Sequence, residues 1–184
     1  MKDVRNSAEI NECKNRLRNI YLASQLYSTD NNAYIMSTTG ENSWNKKLVD
    51  SSYLGNITNK DITRPLKCPN GISLDYNYDS NYSLNFKLTV KNKKNTPNPI
   101  TNSNAKQTHI FMDAHVKESV LWPESIKGKT GHEKIIGNEK RQRIARHNLQ
   151  ANITYLDGQV KSINSSKLLR IGNNYKQNAQ FWAP

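Results

Sequence analysis

Between residues 4 and 28, small or apolar side chains recur at intervals of three and four: Ile10, Cys13, Leu17, Ile20, Ser24 and Tyr27, with Tyr21 alongside. Glu9, Glu12, Lys14, Arg16 and Arg18 fill the positions between, and no Pro or Gly interrupts. This spacing predicts one long amphipathic helix, because residues three and four apart share a helix face. Ser28-Thr29-Asp30-Asn31-Asn32 ends it with side chains that prefer turns to helix interiors. The stripe is narrow and continues almost to the start of the chain. The helix is therefore expected to stand clear of the domain at its beginning and to pack in its later turns.

The rest of the chain must supply the surface for that stripe. Ser43 to Leu54 reads as a short helix with Trp44, Leu48 and Tyr53 inward, and Pro69-Asn70-Gly71 as a turn. Tyr76, Tyr78, Tyr82, Leu84, Phe86, Leu88 and Val90 keep the two-residue alternation of strands with one buried face, and Thr108 to Val116 is a further strand candidate. Ala151–Leu156 and Gln159–Ile163 are strand-like runs separated by Asp157-Gly158. That pair suits a type I′ hairpin turn, whose two central residues need positive φ. The expected class is α+β: a long N-terminal helix packed on a mainly antiparallel β-sheet.

The 184 residues suffice for one domain with its own core. Twenty-six Asn fit many turns between short elements, or biased codon usage, and nine Tyr, three Phe and three Trp argue against disorder. No window approaches the ~18 consecutive apolar residues of a membrane span, and no Gly-rich phosphate loop, Gly-x-Ser-x-Gly turn or other cofactor motif occurs. The formal charge of +12 is uneven, since residues 87–150 carry +8 and residues 1–86 only +1. Lys91, Lys93 and Lys94 lie in a Pro-containing loop stretch, and Lys140, Arg141 and Arg143 precede Arg146. Such clusters either bind nucleic acid and other anionic partners or simply keep loops solvated.

In order along the chain, Cys13 to Ala23 and Tyr27 to Asn31, Lys67-Cys68-Pro69, Arg146-His147, nine residues, Asp157-Gly158, and the Phe181-Trp182 tail form a recognisable set. The chain resembles bacterial type II secretion pseudopilins and type IV pilin-like proteins, in particular the group whose C-terminal part carries His-x9-Asp-Gly. The resemblance implies a single pilin-like domain over residues 1–184, with 1–30 the C-terminal part of the long helix and 31–184 the sheet-bearing head. It also implies a periplasmic or extracellular head anchored to the inner membrane by an N-terminal apolar helix, with other pseudopilin subunits and secretion machinery as partners. That apolar, processed and methylated segment is missing here, so Met1-Lys2-Asp3 reads as a start placed after it. Gln159 stands where the family commonly has His, and Asn148-Leu149-Gln150 replaces a Gly-rich stretch.

The same resemblance makes Cys13 and Cys68 a disulfide, closing a loop of about 55 residues and worth ~2–4 kcal/mol; the other reading is two buried thiols. Arg146, His147, Asp157 and Gly158 make up the motif. In a hairpin His147 precedes the first strand and Asp157 lies at its far end, so the motif reads as structural and not as a catalytic dyad. On the strand candidate, His109, Phe111, Asp113 and His115 share a face, with Asp113 and His115 about 6.7 Å apart by strand rise. That places metal ligands together without a compact ligand motif, so no metal and no cofactor is expected. Glu133, Glu139 and Asp157 are too few hard ligands for calcium. The expected function is a non-enzymatic structural subunit, with a minor pilin-like protein binding DNA through a basic head as the alternative.

Overall fold

The structure, a computed structural model, describes residues 2–31, 36, 43–55, 65–71, 80–88, 105–114, 120–121, 123–139 and 142–182. The long helix is present as α1, Lys2–Asp30. Cys13, Leu17 and Ile20 are fully buried, Ala23 and Ser24 nearly so, while Val4 is 75% exposed. Burial of Leu17 and Ile20 alone stabilises the docking by roughly 1.5–3 kcal/mol each. The first buried side chain is Cys13; the turns before it are partly exposed, with Asn6 still touching the head.

Among the described residues five strands form the sheet, in the order β3-β1-β2-β4-β5. They are β1 (Tyr82–Asn85), β2 (His109–Asp113), β3 (Val120–Leu121), β4 (Gln150–Tyr155) and β5 (Val160–Asn164). β1, β2, β4 and β5 pair antiparallel, and the two-residue β3 joins β1 in parallel. The protein is thus α+β, with a long N-terminal helix on a mainly antiparallel sheet. One core unites Cys13, Leu17 and Ile20 of α1 and Trp44 and Leu48 of α2 (Trp44–Asp50) with Tyr82, Leu84, Ile110 and Phe111 of the sheet. A second core gathers Met112, Ala151, Ile153 and Ile163 against α3 (Gly128–Ile136), α4 (Ser165–Asn173) and α5 (Ala179–Trp182).

The run predicted as strand from Tyr76 onward is shorter in fact. Residues 72–79 and Val90 lie outside the described residues, and Phe86–Leu88 is a 3₁₀ turn. Asn85 diverts the chain: its Oδ1 accepts the Lys87 N–H at 3.0 Å, and its Nδ2 donates to the His109 and Trp182 carbonyls at 2.9 and 2.8 Å. A side-chain amide has replaced ladder pairing with an Asx turn that clasps the C-terminal segment.

The hairpin is present, but its turn is not type I′. Gly158 N–H donates to the Tyr155 carbonyl and Tyr155 N–H to the Gln159 carbonyl, both at 2.9 Å. Gly158 alone takes positive φ, +80°. The loop therefore has three residues, a β-turn followed by a left-handed glycine. Asp157 Oδ1 instead accepts the Gln159 N–H at 3.0 Å. A true two-residue turn with both φ positive occurs one strand earlier, at Asn148 (52°) and Leu149 (62°), flanked by the His147–Gln150 bridge.

α1 runs along β4 in the same direction. Asn6 Nδ2 donates to Asn148 Oδ1 at 3.0 Å near one end, and Tyr21 Oη donates to the Leu156 carbonyl at 2.9 Å near the other. A Cβ on Gly158 would lie 2.8 Å from Tyr21 Cε1. Gly158→Ala should therefore destabilise the fold by about 2 kcal/mol, from the positive φ and the lost helix seat together, as read by urea unfolding.

At the other side of the sheet His109 is sealed by the C-terminal segment. Its ring stacks on Phe181 (4.2 Å), meets Trp182 edge-on (4.9 Å), and its Nδ1–H donates to the Phe181 carbonyl at 2.7 Å. Burial, opposed by that hydrogen bond, lowers its pKa to about 4. A base whose folded pKa is depressed binds fewer protons folded than unfolded between the two values, so this contribution is complete above pH ~6.5 and is lost as pH falls toward 4. The expected loss over that window is about 3 kcal/mol, and it should vanish from the pH dependence of unfolding in His109→Phe.

Candidate functional site

The His-x9-Asp-Gly motif is divided by the fold. His147 and Arg146 stand before β4 and Asp157-Gly158 after it, so six strand residues separate them, about 20 Å by strand rise. The Asp-Gly end seats α1 through Tyr21. The Arg-His end belongs to a largely buried polar cluster that the sequence did not assemble.

Five segments meet there. Cys13 of α1 is joined by a disulfide to Cys68, with Cα atoms 5.3 Å apart. The Cys68 carbonyl accepts the Gly71 N–H at 2.8 Å, which closes the Pro69-Asn70 turn. His147 Nε2 lies 3.4 Å from Asp113 Oδ2 at the end of β2 and 3.4 Å from Cys68 Sγ, while His147 Nδ1 lies 3.3 Å from Asn70 Nδ2. One tautomer satisfies both polar neighbours: Nε2–H donates to Asp113 and Nδ1 accepts from Asn70. Asp113 Oδ2 also accepts the Asn152 N–H at 2.6 Å.

Arg146 is 1% exposed. Its guanidinium donates to the Ala114 carbonyl and, through Nε, to the Arg143 carbonyl at 3.1 Å. Burial lowers its pKa and Asp113, the main opposing influence, raises it; a guanidinium stays charged in either case. Tyr82 sits in the same neighbourhood with its pKa raised, first by burial and then by Asp113. Asp113 Oδ1, Arg146 Nη1 and Tyr82 Oη have no hydrogen-bond partner among the described residues. Asn81 completes the frame, its Oδ1 accepting the Cys68 N–H at 2.9 Å and its N–H reaching the Leu66 carbonyl at 2.9 Å. A Cβ on Gly71 would overlap Asn81 and lie 2.9 Å from Arg146 Nη1, so that glycine is required for close approach.

Chemically, the arrangement is a clamp. A covalent bond, a buried carboxylate and cation, and an imidazole tie the helix, the 65–71 loop, β1, β2 and the start of β4 to one point. The histidine-acid set read along β2 is different from the one observed. A bulge between His109 and Phe111 breaks the strand's alternation, so Ile110 and Phe111 both enter the α1-side core. His109 then serves the C-terminal segment while Asp113 serves His147, and His115 lies outside the described residues.

Of the basic residues read as anion-binding, Lys91, Lys93, Lys94, Lys140 and Arg141 lie outside the described residues. Arg143 is half-buried and donates through Nε to the Ala145 carbonyl at 3.1 Å. A different group of cations converges elsewhere: Lys106, Lys161, Lys167 and Arg170 line a cleft of about 430 Å³ floored by Tyr155, Ile163 and Phe181. Lys161 Nζ stands 5.6 Å above the Tyr155 ring. Among the described residues no helix is long and apolar enough to cross a membrane.

No protein-family model matches this chain, and comparison with curated proteins and with solved structures gives no match.

Proposed function

We propose that this chain is the globular head of a pilin-like structural subunit, of the type II secretion pseudopilin or type IV pilus-like kind, that assembles through a helical segment upstream of α1. The observation that carries the reading is α1 itself. It lies along β4, is locked to the head at Cys13, and extends about two and a half turns beyond its first buried side chain to Val4, 75% exposed. An upstream continuation would put a longer helix on that axis, with the head held rigidly at its end. The buried clamp suits such a part, since a subunit under load needs its helix tied to its sheet. The ordered set from Cys13 through Arg146-His147 and Asp157-Gly158 to Phe181-Trp182 supports the same reading. The head then lies outside the cytoplasm, where the Cys13–Cys68 bond persists.

The test is the coding sequence upstream of residue 1. The reading requires an apolar segment of about 20 residues preceded by a short basic leader; a different domain, or a cytosolic enzyme fused in frame, would overturn it.

A further inference from the structure

The clamp has the donor set of a metal site hidden in it. The ligand atoms of Cys13, Cys68 and His147 all lie within 4.8 Å of one another, and all three residues are fully buried. Asp113 brings a fourth donor, Oδ2, at 3.4 Å from His147 Nε2, and the same nitrogen is 3.4 Å from Cys68 Sγ. In a tetrahedron with Zn–S, Zn–N and Zn–O near 2.3, 2.05 and 2.0 Å, the N···S edge is about 3.5 Å and the N···O edge about 3.3 Å. Those two edges already exist. The S···S edge must open to about 3.8 Å, which a Cα separation of 5.3 Å leaves to side-chain rotation, and the Asp113 carboxylate, which does not lie within 4.8 Å of all three other donors, must swing toward the sulfurs.

Charge points the same way. With the disulfide intact the buried charges here are Asp113 and Arg146, which cancel. Two thiolates plus a divalent cation add nothing to that balance, so the exchange leaves no uncompensated charge in the interior.

We propose that the reduced chain binds one tetrahedral divalent ion, zinc or cobalt(II), through Cys13 Sγ, Cys68 Sγ, His147 Nε2 and Asp113 Oδ2. Disulfide and metal are then alternative clamps at one place. A water-soluble phosphine opens the site: the S–S bond breaks, the phosphine gives two electrons and becomes its oxide, and water supplies that oxygen and the protons of two thiols. The ion displaces both thiol protons to solvent. His147 then carries its proton on Nδ1, and the Asn70 amide turns over so that Oδ1 accepts it, the outer contact that orients a metal-bound imidazole.

The experiment titrates cobalt(II), then zinc, into phosphine-reduced protein without oxygen, with the oxidised protein in parallel and far-ultraviolet circular dichroism as the fold readout. The expected result is one equivalent of cobalt bound by the reduced protein alone, with thiolate-to-cobalt charge transfer and the visible bands of a tetrahedral site, bleached by zinc. Asp113→Asn should weaken binding by ~10-fold or more. If reduction unfolds the chain, the metal should restore the helical signal, because binding free energy then appears as folding free energy. Reduced protein without a thiolate–cobalt band, folded or not, overturns the proposal. So does a six-coordinate spectrum, equal uptake by oxidised protein, or Asp113→Asn binding as tightly as the parent.

Discussion

Replacing both cysteines, as Cys13→Ser with Cys68→Ser, should lower the unfolding free energy by about 4 kcal/mol in chemical denaturation at neutral pH. The bond closes a loop with a sequence separation of 55, and the chain-entropy relation gives about 4 kcal/mol for that length. Its placement argues against a smaller value. Both sulfurs are fully buried, and the bond joins the packed turn of α1 to a loop otherwise tied through hydrogen bonds such as Asn81 to Cys68 and Leu66, Asn70 to His147, and the guanidinium of Arg16 to the Lys67 carbonyl. Two serines would also leave hydroxyls in a core that includes Leu17, Leu66 and Tyr82. A loss below about 1 kcal/mol would mean that packing alone fixes α1 to the head, and that the clamp is not what holds the helix.

Arg146→Met should cost about 3 kcal/mol, although the substitution adds apolar character to a buried position. Methionine cannot donate to the Ala114 and Arg143 carbonyls, and it leaves the buried Asp113 carboxylate without its neighbouring cation. Arg146→Lys should recover little of this, because one ammonium cannot span both carbonyls as the planar guanidinium does. The partner change discriminates between lost charge and lost shape. Asp113→Asn in the Arg146→Met background should destabilise less than Asp113→Asn in the parent, giving a coupling energy of about 1 kcal/mol or more in a double-mutant cycle. Additive effects would show that the two charges do not sense one another.

Most of the architecture could be read from the chain because it rests on periodicity. The three-and-four spacing through Cys13, Leu17 and Ile20 is the face that α1 buries, and the alternation in 151–163 is the β4–β5 hairpin. Details decided by single hydrogen bonds could not be read. Asp157-Gly158 looks like a two-residue turn until the Tyr155–Gln159 pairing adds a residue to the loop. The left-handed pair falls instead on Asn148-Leu149, where an exposed leucine gives no signal. Phe86 continues an apolar alternation that the Asn85 side chain cuts off.

The site was legible only in halves. Arg146 and His147 were conspicuous as a motif, and Cys13 and Cys68 as a pair through family resemblance, but nothing local connects them to each other or to Asp113. Those contacts span 79 residues from Cys68 to His147 and 34 from Asp113 to His147. They are set by the order of strands in the sheet, with β2 beside β4, which no residue pattern within one segment encodes. Asn70 and Asn81 were likewise hidden among 26 asparagines with nothing to single them out.

The central claim is that this domain is the head of a subunit built to polymerise through an upstream helix. Mass spectrometry of the N-terminal peptide of the mature protein, isolated from the membranes of its native cell, tests it most directly. The account predicts that a short basic leader has been removed, that the new first residue is N-methylated, and that an apolar stretch leads without interruption into α1. A mature chain whose N-terminus carries neither that processing nor an apolar stretch leading into α1 would contradict it.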